Sequence, residues 1–190
     1  RDRVETWRKP LAIHQTRLAQ LRPRIAVVQI GGAAGDRAAM GKNADAMIAS
    51  IAAELGLATS DQSWHAMRDG VGEFASCLSL ISGTLGKMGQ DICIMSQQGI
   101  DEITVSGGGG SSAMPHKQNP ILAELLVTLA RFNAVQLSGM HQALIHEQER
   151  SGIAWALEWM ILPQMVLATG RGLNAAKEIA ASITQIGAKP

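Results

Sequence analysis

The chain has 190 residues, of which 46% are hydrophobic and 17% are charged. This composition is sufficient to bury a core and excludes an intrinsically disordered chain. The net charge of +1 argues against a nucleic-acid or other polyanionic partner. There is no unbroken apolar run of about 18 residues, which argues against a membrane-spanning helix.

Two cysteines, Cys77 and Cys93, fall within one predicted helix. Their separation along that helix exceeds the reach of a disulfide, and unpaired thiols are typical of the reducing cytosol. We therefore expect a cytoplasmic protein. The chain opens at Arg1 inside a predicted helical segment, which we interpret as a piece of a longer protein.

The N-terminal third alternates predicted helices with a glycine break. A helix is predicted over Arg1–Leu21, interrupted near Pro10 and ending before Pro23, because proline removes a backbone donor and disfavours a helical residue before it. The sequence QIGGAAGD, from Gln29 to Asp36, contains the glycine break. A second helix is predicted over Ala38–Leu55 and ends at the following glycine.

The strongest helical signal lies between residues 67 and 95. Apolar residues there are spaced alternately four and three apart, the heptad pattern of a long helix with one apolar seam. The seam consists of Met67, Val71, Phe74, Leu78, Ile81, Leu85, Met88, Ile92 and Met95. Small residues beside it, including Ser82 and Gly86, permit close helix packing.

Long helices are also predicted toward the C-terminus. One covers Ile121–Ile145, with Asn119 as its N-cap and Pro120 in its first turn. The other repeats the heptad spacing, with a kink at Pro163. Its seam consists of Trp155, Trp159, Leu162, Val166, Thr169, Leu173, Ala176, Ala180 and Ile183. We expect both tryptophans to pack in the core. The predicted fold is all-α, a bundle of long helices whose seams pack between subunits; an isolated structural bundle has the same seams.

The segment GGGGSSAMPHKQNP, from Gly107 to Pro120, has no helical pattern and carries the candidate chemistry. Its glycines permit backbone angles that other residues resist, and its Asn-Pro end starts a helix whose free N–H groups attract anions. Lys117 adds a positive charge beside that helix, and His116 adds a donor or a second charge. The loop therefore predicts a site for a small carboxylate.

Other loop chemistries fit this segment less well. A P-loop requires G-x-x-x-x-G-K-[ST] between a strand and a helix, whereas Lys117 follows His116 and no strand is predicted before the loop. A nucleophile elbow requires G-x-S-x-G, which GGSSA lacks. A solvated linker is the structural alternative, but the Met-Pro-x-Lys-x-Asn-Pro order is unusually particular for a linker.

The stretch GSSAMPHKQNP, from Gly110 to Pro120, resembles the signature loop of the fumarase/aspartase superfamily, G-S-S-x-M-P-x-K-x-N-P, at every fixed position. The resemblance implies a bundle of long helices, a homotetramer built around a common helical core, and active sites shared between subunits. It covers essentially the whole chain but only the middle of the family's length. We therefore expect residues 1–190 to form the central helical-bundle domain with part of the following region, without the family's N-terminal and C-terminal portions.

Flanking segments resemble the 3-carboxy-cis,cis-muconate cycloisomerase branch of this superfamily. They are GGAAGD, WHAMRDGVGEFA and HEQERSGIAWALEWMILP, which begin at Gly31, Trp64 and His146. Asp36 stands where that branch has a threonine. The resemblance implies a lactonising reaction through an aci-carboxylate intermediate, a polycarboxylate substrate, and no metal or organic cofactor. The alternatives are a β-elimination lyase of the same superfamily, such as adenylosuccinate lyase, and a non-catalytic helical scaffold.

The resemblance also implies roles for individual residues. It assigns proton transfer to Ser111, stabilisation of the intermediate to Lys117, and orientation of a catalytic group to Glu124. A solvated acid in the first turn of a helix explains Glu124 equally well. A serine acts as a base only in a closed, dry site. Substrate contacts within the loop are implied for Ser112, Met114, His116 and Asn119. The structural alternatives are a loop hydrogen bond for Ser112, anchoring of the loop for His116 and the N-cap role for Asn119.

Candidate binding residues also lie outside the loop. Gly32 and Ala33 resemble a second substrate-contact region, and a helix-breaking turn explains them equally well. Arg68 and Arg150 are candidates for binding substrate carboxylates. Each arginine alternatively forms a structural ion pair with an acid near it in sequence, namely Asp69 or, for Arg150, Glu147 or Glu149. The other histidines show no metal-ligand spacing and are interpreted as structural or surface residues: His14, His65, His141 and His146.

Overall fold

The computed structural model describes residues 2–32, 35–106, 109–110 and 118–187, with the backbone alone at 109–110 and 118. Helices make up most of these residues, which confirms the predicted all-α class. In chain order the elements are α1 (Asp2–Ile25), a 3₁₀ helix (Ala38–Met40), α2 (Ala44–Leu55), α3 (Asp69–Met95), β1 (Ile103–Val105), β2 (Gly109–Gly110), β3 (Gln118–Asn119), α4 (Ile121–Gln142), α5 (Gly152–Ser182) and β4 (Ile183–Ile186).

The chain divides into two compact units. The first comprises Arg1–His14, Leu78–Gln136 and Pro163–Pro190, and the second comprises Gln15–Cys77 and Leu137–Leu162. The start of α4 therefore belongs to the first unit, and the glycine break belongs to the second.

The seam predicted for α3 is confirmed from Val71 onward. Each of the following residues is at most 7% exposed: Val71, Leu78, Ile81, Leu85, Met88, Ile92 and Met95. Phe74 is half-buried. Met67 is 45% exposed and precedes the helix, which begins at Asp69, so α3 is shorter than predicted.

The seam predicted for α5 is displaced by one residue. The buried positions that keep the alternation of four and three are Ala154, Glu158, Ile161, Met165, Ala168, Gly172, Ala175 and Ile179. Of the predicted seam, Thr169 is also buried. Trp159, Val166 and Leu173 are instead 63%, 42% and 41% exposed. The prediction that Trp159 packs in the core is wrong, because Glu158 occupies the buried position as the ion-pair partner of Arg68.

α1 continues through both prolines at which an interruption and an end were predicted. Trp7, His14 and Leu21, one heptad apart, are only 5%, 4% and 2% exposed. Trp7 Nε1 also donates a hydrogen bond to Asp91 Oδ2 at 2.6 Å. Tertiary burial of one helix face offsets the backbone bonds that the prolines remove.

Short strands lie before residues 107–120 and at the described ends of that segment, where none was predicted. β1 pairs antiparallel with β4, and β2 pairs antiparallel with β3. The prediction that no strand precedes the loop is therefore wrong, and the exclusion of a P-loop depends on His116 preceding Lys117 in place of glycine. α5 ends at Ser182, so Ile183 begins β4 and does not extend the helix.

α3 and α4 approach each other closely in the first unit. A Cβ atom on Gly86 would lie 2.4 Å from the Cβ of Ala130, and one on Gly89 would lie 2.4 Å from the Ala123 carbonyl oxygen. Glycine is therefore required at both positions for this packing distance, as the small residues beside the α3 seam predicted.

α4 and α5 are long and apolar enough, by length and composition, to cross a membrane. This is a weak indication, because the core helices of soluble proteins meet the same criterion. In the first unit Asn133 of α4 is fully buried and donates to Ser82 Oγ at 2.7 Å and to Thr169 Oγ1 of α5 at 2.9 Å. Polar groups paired in this way are typical of the interior of a protein.

Candidate functional site

The first unit contains the helix N-terminus to which the signature loop leads. Predicted site residues that lie outside the described part of the chain are Ser111, Ser112, Met114, His116 and Lys117. On either side of them, Gly109 pairs with Asn119 and Gly110 pairs with Gln118 in the β2–β3 ladder. The described ends of the loop are therefore adjacent, and the chain passes from β3 almost directly into α4.

α4 begins at Ile121, and its N-cap differs from the prediction. The carbonyl oxygen of Pro120 accepts hydrogen bonds from the N–H groups of Ala123 at 2.9 Å and Glu124 at 3.0 Å. Pro120 therefore takes the N-cap position, and the predicted capping role of Asn119 is wrong because Asn119 belongs to β3. The N–H groups of the first turn and the helix dipole give this end of α4 a positive potential.

Glu124 lies exposed in the first turn of α4, where the helix dipole favours a carboxylate. Burial raises the pKa of the Cys93 thiol, and the negative charge of Glu124 adds to that rise. The Glu124 carboxylate thus lies close enough to α3 to interact electrostatically with the half-buried Cys93 thiol. This position suits an orienting role and a simple first-turn acid equally.

In the second unit the glycine break forms a turn before the 3₁₀ helix. Gly32 and Gly35 have φ angles of 70° and 79°, which residues with a side chain rarely adopt. Gly32 is exposed, with no atom within 4 Å of the place a Cβ would occupy, whereas Ala33 lies outside the described residues. Asp36 Oδ1 accepts a hydrogen bond from the Ala38 N–H at 3.0 Å. Threonine makes the same kind of turn contact, so the exchange of threonine for Asp36 preserves the turn.

Arg68 lies just before α3 and is held by Glu158 of α5. Its Nε donates to Glu158 Oε2 at 2.9 Å, and its Nη2 donates to Oε1 at 2.6 Å. The two side chains are only 10% and 6% exposed, and the Trp64 ring lies 5.2 Å from the guanidinium carbon. Arg68 thus forms a buried two-point ion pair, with Glu158 as its partner in place of the predicted Asp69.

Arg150 is exposed and is held by aromatic rings. Its Nε donates to His65 Nε2 at 3.2 Å, and its guanidinium carbon lies 5.0 Å from the Trp155 ring. The ring centroids of His65 and Trp155 are 3.7 Å apart. Within the described part of the chain Arg150 forms no ion pair with Glu147 or Glu149, so that predicted alternative is wrong.

His146, which was interpreted from the sequence as a structural or surface residue, lies in the same region of the second unit. Both of its ring nitrogens are buried, with no hydrogen-bond partner among the described residues. Burial, followed by the positive charge of Arg68, lowers the pKa of His146. Burial, followed by the charges of Arg150 and Arg68, lowers the pKa of His65, while Glu158 opposes both shifts. Both imidazoles are therefore neutral near pH 7.

The lowered pKa values of His65 and His146 predict a loss of stability in mild acid. A histidine whose folded pKa is lowered takes up a proton first in the unfolded chain, at about pH 6.5. The free energy of unfolding therefore has its full value above that pH and falls as the pH drops below it. Each proton bound by the unfolded chain alone changes this free energy by about 1.4 kcal/mol per pH unit. Urea unfolding followed by circular dichroism, at about pH 7.5 and about pH 5.5, measures the loss.

The double variant His65→Gln/His146→Gln is the control for this prediction. It removes both titrating rings while keeping side chains that form hydrogen bonds. We expect the stability difference between the two pH values to shrink in this variant. A difference equal to that of the wild type would assign the acid sensitivity to other groups.

The described site residues thus fall into two groups. Asn119 and Glu124 flank the N-terminus of α4 in the first unit, and Gly32, Arg68 and Arg150 belong to the second unit. Among the described residues, no group of three or more His, Cys, Asp or Glu side chains has the arrangement of a metal site.

Comparison with known proteins adds to this picture. The lyase family profile matches residues 2–136. The chain is 41% identical over 169 residues to the 3-carboxy-cis,cis-muconate cycloisomerase of Pseudomonas aeruginosa, covering 87% of this chain and 37% of that protein. It is 34% identical over 166 residues to the N-acetyl-S-(2-succino)cysteine lyase of Dickeya dadantii, covering 86% of this chain and 37% of that protein. The crystal structure of the 3-carboxy-cis,cis-muconate lactonizing enzyme from Pseudomonas putida matches with a TM-score of 0.85 and 38% identity, over 93% of this chain and 39% of that one.

The chain spans about two fifths of the length of these relatives. The profile match covers more than half of the chain and includes the signature loop. The resemblance inferred from the loop and its flanking segments is confirmed: the chain belongs to the lyase family of the fumarase/aspartase superfamily.

Proposed function

We propose that the full-length protein is a lactonising cycloisomerase that converts 3-carboxy-cis,cis-muconate to 4-carboxymuconolactone in the breakdown of protocatechuate. The observation that carries the proposal is the similarity to a cycloisomerase at 41% identity and to a lactonizing enzyme at a TM-score of 0.85. The reaction is an isomerisation. A carboxylate oxygen of the substrate adds to one carbon of its own double bond, and the neighbouring carbon accepts a proton.

The proposed chemistry takes place at the N-terminus of α4. Ser111 transfers the proton, and Lys117 stabilises the aci-carboxylate. This intermediate carries additional negative charge, so it is favoured by a positive potential that is in place before the reaction. The N-terminus of α4 supplies such a potential, and the β2–β3 ladder brings both ends of the loop next to it. Glu124 orients a catalytic group contributed from outside this chain.

The remaining candidates are assigned to substrate binding: Ser112, Met114, His116 and Asn119 in the loop, with Gly32 and Ala33 in the glycine break. Of the two arginines, Arg150 is better placed to bind a substrate carboxylate. It is exposed and its described partner is a neutral imidazole, whereas the charge of Arg68 is already matched by Glu158. We therefore assign a substrate carboxylate to Arg150 first.

We also propose assembly into a homotetramer with sites shared between subunits. Large apolar side chains of α5 support this assembly because they are exposed: Ile153 at 78%, Trp159 at 63%, Met160 at 67% and Leu167 at 73%. Clustered apolar surface of this kind marks interfaces. The displaced α5 seam explains how one helix buries one face in its own chain and offers another face to a partner.

The proposed partner in solution is a small polycarboxylate, and neither nucleic acid nor a membrane. A soluble, cytoplasmic protein is proposed with it. Support comes from the net charge of +1 and from the free thiols of Cys77 and Cys93.

A β-elimination lyase of the same superfamily is the second candidate. It is favoured by the 34% identity to a lyase that acts on a succinylated cysteine, a different reaction on the same family fold. A non-catalytic scaffold is the third.

Parallel ultraviolet assays with 3-carboxy-cis,cis-muconate and adenylosuccinate separate these candidates. We expect the full-length protein to turn over the muconate, at a kcat on the order of 1–10³ s⁻¹, and to leave adenylosuccinate unchanged. Turnover of adenylosuccinate alone would favour the lyase. Turnover of neither compound would reject the proposed cycloisomerase.

A further inference from the structure

Arg37, at the end of the glycine break, has an unusual backbone. Its φ of 59° and ψ of 7° lie in the left-handed region, which is unfavourable for a residue with a side chain. Such a conformation persists only where the surroundings hold it in place. The Arg37 side chain is 13% exposed, so its guanidinium group is nearly buried.

The guanidinium group is bound by one backbone carbonyl group from the start of the glycine break and by two from the segment between α2 and α3. Nε donates to the carbonyl oxygen of Ile30 at 3.1 Å, and Nη2 donates to that of Ser60 at 2.8 Å. Nη1 donates to the carbonyl oxygen of Asp61 at 3.4 Å. The backbone N–H of Arg37 donates to the Gly31 carbonyl oxygen at 3.1 Å, which closes the turn.

Ser63 supports the same turn independently. A Cβ atom on Gly31 would lie 2.7 Å from Ser63 Oγ, and one on Gly35 would lie 3.4 Å from it, so both glycines pack against this serine. Gln29 Nε2 donates to Ser63 Oγ at 2.8 Å, and Gln29 Oε1 accepts from the Trp64 N–H at 2.7 Å. Gly31 and Gly35 therefore pack against Ser63, whereas a Cβ atom on Gly32 would meet no atom within 4 Å.

We propose that Arg37 is a positioning residue for Gly32. The inference rests on the proposed function, which makes the Gly32 backbone part of the substrate site. Because Gly32 is exposed at a φ of 70°, the direction of its peptide groups depends on the residues that anchor the turn, Gly31 and Arg37. Arginine suits this role because one rigid, planar group reaches several carbonyl oxygens, whereas lysine offers a single point charge.

The test compares Arg37→Ala and Arg37→Lys with Asp45→Ala in the full-length protein. Asp45 Oδ1 lies 3.5 Å from Arg37 Nη1, but its side chain is 92% exposed, so its removal leaves the carbonyl contacts in place. In Arg37→Ala we expect amide hydrogen exchange to accelerate about tenfold or more in peptides covering 29–37 and 58–64. Asp45→Ala should exchange as the wild type does. Unchanged exchange in Arg37→Ala would overturn the proposal, whatever the substrate.

Kinetics provide the second readout. We expect Arg37→Ala to raise KM about tenfold or more while kcat changes little, because a lost binding contact weakens ground and transition states alike. Arg37→Lys should be intermediate, and it supplies the comparison where Arg37→Ala does not fold. A fall in kcat with an unchanged KM indicates a purely structural role and overturns the proposal. If the wild type acts on adenylosuccinate alone, the proposed function is wrong. The role of Arg37 is then tested by comparing the KM for adenylosuccinate between Arg37→Ala and the wild type.

Discussion

Glu158→Ala is expected to lower the free energy of unfolding by about 3–5 kcal/mol, because it leaves the buried Arg68 guanidinium without a counter-charge. The two side chains are 6% and 10% exposed and are joined by two hydrogen bonds. Leaving one buried charge unpaired destabilises the fold far more than removing both charges of the pair. Urea unfolding of the variant and the wild type, followed by circular dichroism, gives the difference.

Glu73→Ala is the matched control for this prediction. Glu73 also forms a two-point pair with an arginine of the second unit, Arg24, but these side chains are 49% and 52% exposed. Water screens such pairs, so their loss has little effect on stability. The double variant Arg68→Met/Glu158→Leu should recover most of the stability, because both charges leave together. Equally small effects of Glu158→Ala and Glu73→Ala on the free energy of unfolding would contradict the prediction that the buried pair matters more to stability than the exposed one.

Ser111→Ala is expected to reduce kcat by about 10²–10⁴-fold, the usual contribution of a positioned acid or base. The substitution removes the hydroxyl group that we propose exchanges a proton with the substrate carbon. It leaves unchanged Lys117 and the N-terminus of α4, the two proposed sources of positive potential. KM should therefore change much less than kcat, and steady-state kinetics on the full-length protein measures both constants.

Ser106→Ala is the control for the serine substitution. Ser106 precedes the glycines of the loop, and its hydroxyl group donates to the Ser182 carbonyl oxygen at 3.1 Å. This variant should keep wild-type activity. Circular dichroism and sedimentation velocity should show the same fold and assembly for both variants. Wild-type turnover by Ser111→Ala would refute the proton-transfer role.

The two heptad seams show where sequence patterns suffice and where they do not. In α3 every apolar position from Leu78 to Met95 that fits the pattern also faces the core, so the apolar pattern alone places the helix. In α5 two adjacent stripes have the same spacing, and the more apolar one, which includes Trp159, is exposed or half-buried except at Thr169. The buried stripe contains Glu158, which a hydrophobic pattern counts as a surface residue. Glu158 can be buried because Arg68, which is distant in sequence, supplies the opposite charge.

The candidate site also contains features that were predictable from the sequence and features that were not. The signature loop and its family were predictable because the motif is a local run of particular residues, and the family assignment is confirmed. The environment of Arg150 was not predictable, because its partners His65 and Trp155 come from separate parts of the chain. Arg37 gave no signal, since an arginine that binds backbone carbonyl groups needs no partner with a recognisable side chain.

The most direct test of the proposed function is the NMR spectrum of the product formed from 3-carboxy-cis,cis-muconate by the full-length protein in D₂O. Ring closure with protonation of the neighbouring carbon should yield 4-carboxymuconolactone with a single deuterium on that carbon. Muconate that is recovered unchanged, from a preparation that releases fumarate from adenylosuccinate, would contradict the lactonising assignment and establish an elimination reaction in its place.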